Sequence, residues 1–497
     1  MAKRNLRQVE YGDFQTPDAL ATQVVALLND RGIKPASVVE PTCGLGAFVL
    51  AAMRGFDTTR RIIGLEINHD YFVEADARLS KEPRRPQLDL RRADFFSFDW
   101  PAVVRELPQP VLLLGNPPWV TSSGIGAIRG SNLPAKSNFQ GHRGLDAITG
   151  KSNFDIAEWM LIKLLEACDG TSSTLAMLVK TSVARRLLAH AWKSRLPIES
   201  AAVYTIDAAA HFDVAASACL FVCSLGKTSA PTECDVFDLD KPTTRTGRIG
   251  YRKDKLVADV VAYDRVSHLI ANNADADLRW RSGVKHDCSA VMELRRIGPD
   301  SFKNGAGEVV SLEHEFLYPM MKGSAVASGN TAGGNRWMIV PQRSTSDDTS
   351  TIQERAPLTW QYLNAHRDVL DRRGSSIYRK RPPFAIFGIG PYTFTPWKVA
   401  ICGLYKRPEF ALIGPSEGRP VVFDDTVYHL SFDNEADARC AARLLNSERV
   451  RDFLNAVTFW DAKRPITVDV LSRLDLRVLA RELGEELLPR LPLERTA

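Results

Sequence analysis
From residue 11 to about 225 the chain alternates short apolar runs with stretches whose apolar residues recur every three or four positions. Short continuous apolar runs suit strands buried on both faces, and the 3.6-residue period suits helices that cover them. The pattern predicts strands over 37–40, 61–65, 88–91, 111–114, 175–179 and 201–206, and a last one over 218–224. Helices are predicted over 18–29, 47–54, 71–79, 156–167 and 182–188, the first capped by Thr16 with Pro17 at its first position. Strands and helices in alternation imply the α/β class, here a doubly wound, Rossmann-like parallel sheet within residues 1–225.

Two stretches interrupt this rhythm. Residues 121–151 are polar, hold six glycines and show no period, which predicts a mobile loop, either a lid over substrate or a tolerated insertion. Residues 226–255, rich in Thr, Lys and Asp, are expected to link the first domain to a second at 256–497. That second half mixes β-like runs at 384–389 and 398–404 with helical patterns at 435–445 and 448–457, an α+β composition.

A length of 497 residues exceeds one ordinary core and supports two domains. The 44% hydrophobic and 25% charged content is that of a soluble globular protein. No window reaches the roughly 18 consecutive apolar residues of a membrane span. Residues 1–10 are polar and lack the apolar core of a secretory signal, so no membrane association and a cytoplasmic, nucleoid-associated location are expected. The eight cysteines are scattered except for Cys219 and Cys223 in an apolar run, so reduced buried thiols and no metal site are expected. A net charge of +5 is too mild to identify a polyanionic partner by itself.

The candidate chemistry sits at the strand ends. After the first strand comes Glu40-Pro41-Thr42-Cys43-Gly44-Leu45-Gly46-Ala47-Phe48, a turn in which Gly44 and Gly46 let the backbone approach a ligand. The dinucleotide fingerprint is incomplete, since no third glycine follows. Glu40 would repel a pyrophosphate but not a sulfonium amino acid such as that of S-adenosylmethionine. Glu66 ends the second strand, placed to accept from both hydroxyls of a ribose. Asp94 follows the third strand and can accept from an adenine amino group while Phe95 packs on the ring.

The fourth strand ends in Asn116-Pro117-Pro118-Trp119, the most specific signal in the chain. Two prolines stiffen the backbone and remove two amide donors, leaving the carbonyl near Pro117 as a rigid acceptor, and the Asn116 side-chain oxygen supplies another. Two acceptors aimed at the two hydrogens of an exocyclic amine favour its pyramidal form and free its lone pair to attack an activated methyl group. No cysteine stands beside a proline here, as a carbon-5 cytosine methylase needs. Trp119 offers a face for a base that has left its duplex, and Phe212 is the expected second face.

Together these motifs resemble the gamma-class amino-methyltransferases of bacterial restriction–modification systems, N6-adenine enzymes in which a catalytic domain precedes a target-recognition domain. The matches run in the family's order: Thr16-Pro17, then Glu40 to Phe48, Glu66, Asp94, and Asn116 to Trp119. Asn153-Phe154-Asp155-Ile156-Ala157 looks like the next helix-opening motif, and the likeness covers about the first 225 residues. Trp119 departs from the usual tyrosine or phenylalanine, while Asn116, where related cytosine-N4 enzymes carry serine, favours adenine. The resemblance implies a site-specific adenine-N6 DNA methyltransferase using S-adenosylmethionine and no metal. It would flip a base out of double-stranded DNA, act as a monomer, and be partnered by a separately encoded endonuclease.

In the second half, residues 367–381 hold six Arg or Lys against two Asp, and 459–465 place aromatics beside cations. Arg372, Arg373, Arg379, Lys380, Arg381, Lys463 and Arg464 are therefore the candidate DNA contacts. Alternatives left open are a methyltransferase acting on RNA or on a protein glutamine amide, and a non-catalytic DNA-recognition subunit.

Overall fold
The computed structural model describes residues 14–83, 86–120, 155–226, 231–271, 279–330, 334–379 and 381–485. The loop expected over 121–151, the motif residues Asn153 and Phe154, and Lys380 lie outside them. Two compact units divide the chain, Met1–Val260 and Val261–Ala497.

The first unit is built on the strands β1 (Ser37–Glu40), β2 (Arg61–Glu66), β3 (Gln87–Arg92), β4 (Val111–Gly115), β5 (Ser173–Lys180), β6 (Ile198–Ile206) and β7 (Ala218–Leu225). β8 (Glu233–Asp238), β9 (Lys241–Arg252) and β10 (Lys255–Val257) complete a ten-stranded sheet of order β10-β9-β8-β6-β7-β5-β4-β1-β2-β3. β1 lies parallel between β2 and β4, with Val38 opposite both Ile62 and Leu112. β7 runs antiparallel between β5 and β6. The carboxyl ends of β1 to β5 therefore share one edge, where the chemistry-bearing residues collect.

Burial explains the continuous apolar runs. Val38, Ile62, Leu112, Leu114, Ala176 and Leu178 pack in one core with α1 (Asp18–Asp30) and α2 (Ala47–Gly55). Their neighbours Leu113, Leu175, Met177 and Val179 point the opposite way and are equally buried. A strand covered on both faces needs apolar residues at every position. Among the described residues the sheet is further flanked by α3 (His69–Leu79), α4 (Trp100–Glu106), α5 (Ile156–Ala167), α6 (Thr181–Lys193) and α7 (Ala208–Phe212).

Two expectations are corrected here. Residues 226–255 are not a linker, because β8, β9 and the first residue of β10 fall within them. β9 is largely polar and exposed along its first half, and Arg248 and Arg252 pair with Glu233 of the neighbouring β8, so charge takes the place of the apolar run that marks a strand. Nor is Thr16 a helix cap. Pro17 occupies the cap position without a side-chain hydrogen bond, and the Thr16 hydroxyl is turned to Asn116 instead.

In the second unit β11 (Arg281–Ser282), β12 (Glu293–Arg296), β13 (Ser301–Asn304), β14 (Val309–Ser311), β15 (Leu317–Met321), β16 (Arg336–Ile339), β17 (Trp397–Cys402), β18 (Ala411–Ile413), β19 (Val422–Phe423) and β20 (Val427–Phe432) form two sheets. Their orders are β11-β20-β17-β18 and β14-β13-β12-β16-β15-β19. Helices Glu435–Leu445 and Glu448–Val457 stand where the pattern puts them. The apolar run 384–389 is not a strand; only Phe387 makes a bridge, to Lys285. Phe384, Ala385 and Ile386 are buried all the same, and the Gln342 side chain satisfies the Ile386 amide in place of a neighbouring strand. Among the described residues no helix is long and apolar enough to cross a membrane.

Candidate active site
A cleft of about 1000 Å³, solvent at its mouth included, opens at the carboxyl edge of β1, β2 and β4. Thr16, Glu40, Thr42, Gly44, Glu66, Asp94, Phe95, Asn116 and Pro118 all line it, so one cavity gathers most of the residues singled out in the first half.

The glycine turn between β1 and α2 is fixed from both sides. Gly44 and Gly46 have φ of +51° and +78°, and a Cβ at Gly44 would lie 2.5 Å from the Gln15 side-chain oxygen, so a side chain there meets both strain and collision. Glu66 ties this turn to the tip of β2: its Oε2 accepts from the Gly44 amide at 2.8 Å and its Oε1 from the Asn68 amide at 2.7 Å.

Glu40 is used differently from the expectation. Only 3% exposed, it accepts from the Val49 amide at 3.0 Å and so satisfies a donor in the first turn of α2. Burial pushes its carboxyl well above the usual carboxylate range, with the Glu66 charge adding and the Val49 bond opposing. Burial thus disfavours the negative charge at Glu40 that was expected to reject pyrophosphate. Asp94 is exposed and caps a 3-10 turn through the Phe96 amide at 3.0 Å. Phe95 is buried against Trp100 with ring centroids 4.9 Å apart, while Phe96, also in the cleft wall, stacks on Trp159 at 4.5 Å.

At the end of β4 the Asn116 Nδ2 donates to the Phe14 carbonyl at 2.9 Å and to the Thr16 hydroxyl at 3.2 Å. A carbonyl can only accept, so this bond fixes which end of the amide is nitrogen. The Oδ1 that remains is buried and has no hydrogen-bond partner among the described residues. A buried acceptor left unpaired costs about 1–3 kcal/mol, so it is retained where a ligand supplies the missing donor. The Thr42 hydroxyl is a second such atom in the same cleft.

Trp119 and Phe212 are brought together, but not as an open slot. Trp119 is 6% exposed, donates its indole N–H to the Leu178 carbonyl at 3.2 Å, and meets Phe212 nearly edge to face with centroids 5.2 Å apart. Lys180, at the end of β5, holds the turn from behind. Its Nζ lies 3.2 Å from the Trp119 carbonyl and 2.6 Å from Oδ2 of Asp155, a buried residue whose other oxygen caps α5. The Ile156 amide then donates to the Val120 carbonyl at 3.0 Å. Lys180 was missed by the motif search, although it is a polar strand end on the carboxyl edge, the same signal that marked Glu66.

Comparison with known proteins now decides the family. No protein-family model matches the chain. Over 477 residues it is 46% identical to the type II methyltransferase M.NspV of a Nostoc species, covering 95% of this chain and 98% of that one. The chain belongs to the type II methyltransferases. Its fold is similar to that of the type IIL restriction–modification enzyme MmeI, solved in complex with DNA, with a TM-score of 0.53 at 12% identity. The match covers 94% of this chain but only 65% of MmeI.

In the second unit of this type II methyltransferase the candidate cations separate into two groups. Arg373 is engaged within the protein: it donates to the carbonyls of Leu370 at 2.7 Å, His286 at 3.2 Å and Ala385 at 2.8 Å, and lies 3.8 Å from the Tyr378 ring centre. Arg464 is bound to Asp425, through the carbonyl at 3.3 Å and the carboxylate at 3.9 Å. Arg372, Arg379, Arg381 and Lys463 are exposed, with Arg372 making one bond to the Asp368 carbonyl and Arg381 lying over Phe387.

Proposed function
We propose that this type II methyltransferase moves a methyl group from S-adenosylmethionine to N6 of an adenine swung out of duplex DNA, as a gamma-class enzyme. Its first unit performs the transfer and its second recognises the target. The single observation that carries this reading is the Asn116 Oδ1, a buried acceptor in the cleft with its amide nitrogen already tied down. An acceptor held so rigidly favours a ligand N–H, and with the Pro117 carbonyl as the second acceptor both hydrogens of an adenine amino group are held. S-adenosylmethionine, when bound, supplies a methyl group made electrophilic by its sulfonium.

The residues of the cleft fit that group. Glu66 at the tip of β2 suits ribose hydroxyls, Asp94 with Phe95 suits an adenine, and the Thr42 hydroxyl lacks a partner that a polar ligand would provide. Gly44 and Gly46 keep the turn bare of side chains. A base stacks between Trp119 and Phe212 only once those rings part, so base entry and ring separation are one event.

The test is Asn116→Ala with labelled cofactor on plasmid DNA. Methyl transfer is expected to fall by roughly 10²–10³ while cofactor binding stays within a few-fold, the pattern for an interaction made in the transition state. Activity within threefold of wild type, or label recovered on cytosine N4, on RNA or on protein, overturns the reading.

A further inference from the structure
Between β17 and β18 the second unit carries a hairpin whose two ends are pinned and whose tip is bare. At one end the Gly403 amide donates to the Thr426 carbonyl at 2.8 Å. A Cβ on Gly403 would lie 2.6 Å from the Tyr428 ring and 2.9 Å from the Ile466 carbonyl, so the chain enters the tip in backbone contact with its neighbours. At the other end Asn446 grips Phe410 on both sides, accepting from its amide at 3.0 Å and donating to its carbonyl at 2.8 Å. Phe410 itself is buried against Trp280.

Between these anchors stand Leu404, 39% exposed, Tyr405, 44% exposed, and the exposed Lys406 and Arg407. None of the four has a hydrogen bond or ion pair among the described residues. Glu409, also exposed, is the one carboxylate of the tip. A single exposed apolar side chain is ordinary. Two large ones followed directly by two cations, on a loop anchored at both ends, form a surface that folding alone does not require. The tip also adjoins the turn with Lys463, since the Gly403 position lies against the Arg464 side chain.

We propose that the 404–407 tip enters a groove of duplex DNA, with Lys406 and Arg407 on flanking phosphates and Leu404 and Tyr405 against base edges. The inference rests on the reading of the chain as a DNA methyltransferase and makes this hairpin a determinant of its site preference. A narrow loop fits a major groove about 12 Å wide, and cations beside apolar side chains meet the phosphate–base–phosphate order of a groove. Because the tip is pinned before binding, little ordering entropy opposes the contact.

The experiment uses the full chain and three probes: a duplex oligonucleotide bearing the site mapped by sequencing wild-type-modified plasmid, a scrambled duplex, and an RNA duplex of the same sequence. K406Q/R407Q is expected to lower the slope of log affinity against log salt by about 2, near 0.9 per lost phosphate contact. L404A/Y405A should keep the slope but cut the preference for the mapped site over the scrambled duplex roughly tenfold. Both variants should bind S-adenosylmethionine as wild type does, because the tip is exposed and makes no internal bond. If both match wild type in slope and preference while wild type methylates the plasmid, the hairpin is a bystander and this inference falls alone. A preference for the RNA duplex overturns the assigned partner, and a wild-type chain that methylates no duplex DNA overturns the parent reading and this inference together.

Discussion
The cleft of the first unit and the basic segments of the second treat polar groups in opposite ways. In the cleft two buried atoms, Asn116 Oδ1 and Thr42 Oγ1, lack partners, whereas in the second unit Arg373, deep in the densest run of charge, has three carbonyls and an aromatic face. A buried acceptor without a donor is unstable unless something outside the chain completes it, and a cation already bonded to three carbonyls has fewer donors to offer a phosphate. A polar residue's function is thus better indicated by the partner it lacks than by its charge or its position in a charged run. Lys180 shows the intermediate case, a cation shared between the Trp119 carbonyl in the turn after β4 and the Asp155 carboxylate that caps α5.

The largest loss of stability is expected there. Lys180→Met leaves Asp155 buried without its counter-ion and releases the Trp119 carbonyl. Breaking a buried pair costs about 3–5 kcal/mol, and the part-exposed Lys180 side chain places this one near or below the lower end, about 2–3 kcal/mol. Methyl transfer should fall roughly 10–100-fold through kcat, with cofactor affinity held, because a displaced turn misplaces the acceptor rather than the cofactor. Lys180→Arg should recover part of the rate and Asp155→Asn/Lys180→Met part of the stability. If kcat of Lys180→Met is unchanged, the clamp has no bearing on the turn's chemistry.

The second unit's own buried charge is structural, and its effect is smaller and depends on pH. Burial alone would raise the Glu293 carboxyl, but hydrogen bonds from His286 and Lys322 and the Lys322 charge overcome it and hold it at about 2, against 4.5 for the free group. Arg336 donates to it as well, at 2.9 Å. Since the folded value lies below the unfolded one, ionised Glu293 stabilises fully above about pH 4.5, and that contribution is lost as the pH falls from there toward about 2. Glu293→Gln should therefore lower unfolding stability by about 2 kcal/mol at pH 7, allowing for the solvent around Lys322 and Arg336. The gap should narrow at pH 3 in denaturant titrations. A pH-independent gap would mean that the loss comes from packing, not from charge.

These contrasts also explain what the sequence made legible. The strands of the catalytic sheet and the cleft residues Glu66, Asp94 and Asn116 were readable because apolar runs ending in a polar residue or glycine are a one-dimensional signal of a strand's carboxyl end. β9 was hidden because its first half is polar and exposed and its contacts with β8 include ion pairs. The Lys180–Asp155 contact was hidden because it joins residues 25 apart whose proximity exists only once β5 lies beside β4. The buried state of Glu40 and the closed Trp119–Phe212 pair depend on packing around them, and so does Arg373, whose sequence neighbours gave no hint of the carbonyls it meets.

The smallest predicted effects separate the two kinds of cation most directly. Arg373→Gln removes three charge-assisted bonds to carbonyls that stay in place, so unfolding stability should drop by about 1–2 kcal/mol. The salt dependence of DNA binding should be unchanged once the variant is confirmed folded. Arg379→Gln should do the reverse. Arg379 is exposed, with no hydrogen bond or ion pair among the described residues, so stability should hold within about 0.5 kcal/mol. Its salt slope should fall by about 1 if the side chain meets a phosphate. Should Arg373→Gln lower the slope as much as Arg379→Gln does, a guanidinium can serve carbonyls and phosphate together, and the rule that satisfied cations are unavailable to DNA fails for this protein.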